Sequence, residues 1–274
     1  MREHWRCALV RFLKNLVFVA AFVWLVPLIF LLDRSHAQPV PDTDDAKSVI
    51  AYLTASSRTH GLVERYLDDA TKRLVEDVMQ RPAHYVNAVK DSLGLPSGSD
   101  VATWEREGRR LGNTMYLIQL MGPQQAGGMA RDFFDRVTSE IATHEGGDRV
   151  DDRPNGLDAL TASVRVLLDL QKGSLGVLAE FRDPHAVDYC VRTVERERRY
   201  MRGTWVEMLN YLELVGPFQP DIRPRLEDMY NSPDSPLRNH PQLLRVLQAM
   251  DKNKADRRIE DRNTRKKGDE SGDE

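Results

Sequence analysis

Few residues in this chain stand at spacings that support chemistry. Glu140 and His144 are four apart, the separation that places a carboxylate and an imidazole on one face of a helix, as metal ligands require. One such pair supplies two ligands, no Glu-x-x-His accompanies it, and Gly146-Gly147 ends the helix beside the imidazole. A solvated pair is the expectation, and no metal. Lys172-Gly173-Ser174-Leu175-Gly176 approximates a nucleophile elbow but has Lys172 where the first glycine belongs and no strand before it. His60, His84, His185 and His240 stand alone, mostly near helix ends, where a charged imidazole complements a carboxyl terminus. The chain has no HExxH, no glycine-rich phosphate loop and no CxxCH. The expectation is therefore no catalytic residue and no cofactor.

Three other features call for explanation. Gly108 and Gly112 interrupt a good helical stretch, where each glycine costs about 1 kcal/mol relative to alanine. Gly108 falls on the stripe Val101, Trp104, Leu111, Met115, so both glycines are read as sites of close helix packing. Arg198 occupies an apolar position of a long seam and is either buried against an acid, snorkelling, or exposed to a partner. Arg192, Arg196 and Arg199 form a basic row one step off that seam, a candidate interaction surface together with Arg198.

The elements that must position these residues are all helical. Val63, Leu67, Ala70, Leu74 and Val78 recur at helical spacing, Pro82 opens a helix that stops at Gly94, and Asp100 caps one that ends at Gly122-Pro123. Met129, Phe133, Val137 and Ile141 mark the next, which fades into HEGGDRVDDRPNG. A face from Leu157 to Phe181 is interrupted at Gly173 and Gly176, where a bend or break is expected. Val187, Val191, Val194, Arg198, Met201, Trp205, Met208, Leu212 and Val215 alternate steps of four and three, which predicts one helix from Pro184 to Val215. Short helices follow around 221–230 and 241–250. No strand-like alternation is sustained, so the fold class is an all-α multi-helix bundle, divided into helical regions 38–145 and 155–250.

The ends differ from this core. Leu16 to Leu32 is 17 uncharged residues, about 25 Å of helix against roughly 30 Å of bilayer hydrocarbon. Arg2, Arg6, Arg11 and Lys14 precede it and Asp42, Asp44 and Asp45 follow, which keeps the amino terminus in the cytoplasm and places the rest outside. Ser35-His36-Ala37 sets small residues three apart, as signal peptidase requires, so residues 1–37 read as a signal peptide cleaved after Ala37. The alternative is a retained anchor holding the protein to the inner membrane through 16–32. Residues 251–274 carry eight basic and eight acidic side chains with Ile259 as the one aliphatic side chain larger than alanine, a disordered charged tail.

Composition narrows function further. Residues 1–37 hold five Lys or Arg and two acids, leaving 34 basic and 40 acidic side chains and a net charge near −6, which is not the footprint of a nucleic-acid binder. Cys190 is the one cysteine beyond the leader and shares a helical face with Val187 and Val194, the pattern of a small buried hydrophobe. The expectation is a periplasmic or inner-membrane-anchored, non-enzymatic helical assembly or adaptor component of a bacterial envelope machine, such as a secretion or conjugation system, with protein partners. The alternative is an all-α exported enzyme or ligand-binding protein whose site no spacing reveals. Oligomeric state has no signature in the sequence.

Overall fold

The computed structural model describes residues 39–55, 67–97, 101–146, 162–195 and 202–253, and among them every regular element is helical. The leader with Ser35 and Ala37, the break 147–161 and the tail from 254 onward lie outside the described residues. No helix among the described residues is long and apolar enough to cross a membrane.

Local chemistry sets most boundaries. Helix α1, Ala46–Thr54, starts where the Asp45 carboxylate accepts from Ser48 N at 3.1 Å, and α2, Asp69–Gln80, where Asp68 accepts from Thr71 N at 2.7 Å. Helix α3, Pro82–Asp91, opens on proline, whose missing N–H is no loss in a first turn. Helix α4, Val101–Met121, stops at Gly122, which takes φ +79°, and Pro123 begins α5, Pro123–Gly146.

Helix α6, Ala162–Glu180, runs unbroken through Gly173 and Gly176, so the expected bend does not occur. Both glycines have open space around the Cβ position and lie on the exposed side, where nothing forces the axis to change. The helix ends in a Schellman motif: Arg182 adopts φ 51°, its N–H reaches Ala179 O at 3.0 Å, and Asp183 N reaches Leu178 O at 2.8 Å. Asp183 then accepts from His185 N at 3.0 Å and caps the 3-10 turn Pro184–Ala186, which leads into α7, Val187–Glu195.

The single long helix expected from Pro184 to Val215 does not form. Ala186 N donates to the Tyr211 hydroxyl at 3.2 Å, and that hydroxyl donates to Asp183 O at 2.5 Å. Along one straight helix residues 186 and 211 would stand about 37 Å apart. Instead α8, Arg202–Val215, packs beside α7. The seam residues Val187, Val191, Val194, Trp205, Met208, Leu212 and Val215 are all buried, so the steps of four and three reflect two helices turned to a common core. Two 3-10 turns, Gly216–Phe218 and Pro220–Ile222, lead to α9, Arg223–Asn231, and the last helix, α10, spans 241–253.

Helix α6 is the hub. Leu167, Leu168, Leu170, Leu175, Val177, Leu178 and Ala179 are buried along its length, the mark of a helix with neighbours on most sides. It packs on α4, α5 and α8, while α1, α2 and α3 cover α4 and one another. A boundary at 145–155 therefore separates consecutive elements and not separate cores, since residues from 42 onward form one compact unit.

The helical part also extends past the expected start of the tail. Asp251 pairs with Arg223 at 2.7 Å and Asn253 Nδ2 donates to Pro217 O at 2.5 Å, so residues 251–253 belong to α10 and are docked.

Candidate functional site

Gly108 and Gly112 have different surroundings. A Cβ at Gly108 would fall 2.6 Å from Val166 Cγ1, so α6 approaches α4 closely where that side chain is missing. Gly112 has nothing within 4 Å of that position and does not mark a close approach. Gly108 and Val166 are both half-buried, so their contact lies at the margin of the core.

Of the basic row, Arg192 alone is described; Arg196, Arg198 and Arg199 lie outside the described residues. Arg192 is paired with Asp188 at 2.9 Å, one turn earlier on α7. Glu195 pairs with Arg225 of α9 at 2.7 Å, and Arg225 also reaches Asp188 at 3.5 Å. Arginine and carboxylate are thus matched two to two, and the described part of this face carries no surplus positive charge. Helix α9 packs on α7 and presents the Arg225 guanidinium to both Glu195 oxygens, at 3.0 and 2.7 Å.

A polar seam joins α5 to the α7 region. His185 Nε2 meets both Asp135 oxygens at 2.9 Å, and Arg131 Nε donates to Asp183 at 2.6 Å. Beneath them, fully buried Gln171 donates through Nε2 to Thr138 Oγ1 and to the Tyr189 hydroxyl, each at 3.0 Å, while its Oε1 has no partner among the described residues. The Asp135–His185 pair ties α5 to the turn that opens α7. Cys190 is buried, and burial pushes its thiol pKa up, leaving it protonated and inert. No group of three or more potential metal ligands occurs among the described residues.

What remains is concave and apolar. Helices α6 and α8 leave a groove of about 350 Å³ lined by Leu175, Gly176, Ala179 and Tyr211, with Leu214 at its edge. Exposed Gly176 opens one wall, because the axis of α6 has no side chain there. Leu214 is 56% exposed, an unusual setting for a leucine flanked by a buried seam. The rim is acidic: Glu180 and Glu207 line the groove, and no Lys or Arg is among its lining residues. Gln119 Nε2 donates to Glu180, and Asn210 donates to Glu207 at 3.4 Å, so both carboxylates are oriented by neutral amides.

No family model, no curated protein and no solved structure matches the chain.

A second groove, about 300 Å³, lies between α2 and α4 and is lined by Leu67, Val75, Met79, Tyr116 and Leu120. Its rim holds Lys72 and Glu76, one charge of each sign, and favours no charged ligand. The α6–α8 groove lies on the side of α8 away from its buried seam, where periodicity gives no signal. Its one trace in the sequence is Leu214, an apolar residue off that seam and exposed in the structure.

Proposed function

We propose that this chain is an exported, non-enzymatic helical adaptor of a bacterial envelope machine, of the secretion or conjugation kind, and that its working surface is the α6–α8 groove. The observation that carries the reading is a groove floored by Leu175 and Ala179, edged by exposed Leu214 and rimmed by two carboxylates, with no Lys or Arg among its lining residues. Such a surface suits a short basic peptide with one aliphatic side chain: the side chain is removed from water against Leu214, at about 25 cal/mol per Å², and its cations face Glu180 and Glu207. The charge pattern around residues 16–32 supports placement outside the cytoplasm, either released after cleavage between Ala37 and Gln38 or held at the inner membrane.

The test is a photo-crosslinking residue at position 214 in cells. The reading expects an adduct, mapped by mass spectrometry to a basic segment of one envelope protein and lost in Glu180→Lys with Glu207→Lys. Adducts spread over unrelated proteins, or an adduct indifferent to the charge reversal, would end it.

A further inference from the structure

The two grooves stand side by side. Helices α2, α4, α6 and α8 are neighbours in that order, each packed on the next. Helices α4 and α6 meet at Gly108 and Val166, and again further along both where Gln119 Nε2 donates to Glu180, so they run in the same direction. The Tyr211 bond to Asp183 brings the end of α8 to the same level. Tyr116 and Leu120 line the α2–α4 groove and stand within a turn of Gln119, while Glu180 lines the α6–α8 groove. Gln119 with Glu180 therefore forms a ridge between two apolar depressions of about 300 and 350 Å³.

Each depression has a large apolar side chain left in water on its outer wall. Met79 of α2 is 51% exposed and Leu214 of α8 is 56% exposed. The charge between these walls has one sign where it is not balanced. Glu180 is exposed on the ridge and Glu207 lines the far groove, with no Lys or Arg among that groove's lining residues, whereas Lys72 and Glu76 offset each other at the near one. A segment with an anchor in each groove must cross α4 and α6 and pass over Glu180.

Packed helix axes lie about 8–10 Å apart, so the midlines of the two grooves are roughly 16–20 Å apart, two such spacings. An extended chain advances about 3.3 Å per residue and turns alternate side chains to one face, so about six residues separate two side chains that point down into both grooves. Joining two shallow sites on one short segment raises affinity well beyond that of either alone.

We propose that the two grooves form one bipartite docking surface, and that its partner is an extended basic segment with two apolar side chains about six residues apart, one seated in each groove, and a Lys or Arg between them opposite Glu180. The inference rests on the α6–α8 groove being the adaptor's binding surface and adds the second anchor and the spacing that a partner must carry.

The experiment places a photo-crosslinking residue at position 79 or at position 214 of the full chain in cells. Adducts from both positions are expected on one segment of one partner, mapped by mass spectrometry to sites about six residues apart with a basic residue between them. Met79→Asp, a change at an exposed side chain, should reduce the position-214 adduct about tenfold with the melting temperature unchanged, because one of two linked anchors is lost. Glu180→Lys with Glu207→Lys should remove the position-79 adduct as well as the position-214 one. Adducts of positions 79 and 214 on different proteins, on distant segments of one protein, or on a second copy of this chain would overturn the proposal. So would a position-214 adduct that persists undiminished in Met79→Asp, and in that case the adaptor reading of the α6–α8 groove still stands. Scattered adducts at position 214 would end both readings, whatever position 79 captures.

Discussion

Tyr211 and Asp183 are joined by a hydrogen bond of 2.5 Å from phenol to backbone carbonyl, and the same phenolic oxygen accepts from Ala186 N at 3.2 Å. One side chain of α8 thus satisfies two main-chain groups at the turn that opens α7, and holds the two helices side by side. Burial pushes the Tyr211 pKa up, so the proton needed for donation to Asp183 stays in place at ordinary pH. Tyr211→Phe leaves a buried donor and acceptor unpaired and should destabilise by about 1–3 kcal/mol. Urea unfolding should show a lower midpoint with an unchanged slope; an unchanged midpoint would mean that water replaces the phenol.

The two glycines of α4 make opposite predictions. Gly112→Ala adds a methyl to open space in a helix and should stabilise by up to about 1 kcal/mol. Gly108→Ala drives a methyl into Val166, whose χ1 is restricted by branching, and should destabilise despite the same gain in helix propensity. Val166→Ala in the Gly108→Ala background should recover stability. Thermal melts of the four variants decide it, and equal effects at the two glycines would refute close approach at Gly108.

Stability should fall at both ends of the pH scale through one cluster. Arg81 donates to Asp77 at 2.9 and 2.7 Å and holds its carboxyl below the usual range. Tyr85, which also donates to Asp77, is pushed up to about 12, first by burial and then by that carboxylate. The lowered Asp77 contributes stability present above its unfolded value near 3.9 and lost as pH falls through its folded value. The raised Tyr85 contributes stability present below about 10 and lost as pH rises towards about 12. Asp77→Asn should flatten the acid limb of denaturant midpoint against pH, and Tyr85→Phe the alkaline limb.

The Cys190 thiol is fully buried and its pKa is raised by desolvation. Labelling by a thiol reagent should proceed only as fast as the protein opens globally, and a destabilising change such as Tyr211→Phe should accelerate it in proportion. Rapid labelling of the native protein would show local opening of α7.

Truncations at the carboxyl end should divide at Asn253. Ending the chain after Met250 removes the pairing of Asp251 with Arg223 and the Asn253 bond to Pro217, and should cost on the order of 1 kcal/mol more than ending it after Asn253. Matched urea curves of the two truncations test this directly, and coincident curves would place 251–253 with the tail.

Much of this architecture was written in local sequence. Asp45, Asp68 and Asp183 cap the elements they precede, and Gly122-Pro123 and Gly216-Pro217 stop helices where their backbone chemistry requires it. The apolar stripes of α4 and α5 are buried nearly as their spacing demands, since Trp104, Leu111, Met115, Phe133 and Val137 all face the core. These features depend on neighbours within a turn or two, so periodicity alone carries them.

Other features depended on which helix meets which. The seam of α7 and α8 keeps one heptad phase from Val187 to Val215, and an uninterrupted phase cannot distinguish one long helix from two packed side by side; the hydrogen bonds of Tyr211 to Asp183 and Ala186 decide it. Gly108 and Gly112 look alike in sequence, and only the position of Val166 separates them. Asp188 and Glu195 of α7 are paired by Arg225, at least thirty residues away, and the acid-rimmed groove exists only because Leu175 to Glu180 of α6 lies against Glu207 to Leu214 of α8. Helical period and capping are local energies that the sequence determines by itself, whereas close approach, charge matching and concavity arise between distant segments and appear only when the chain is packed.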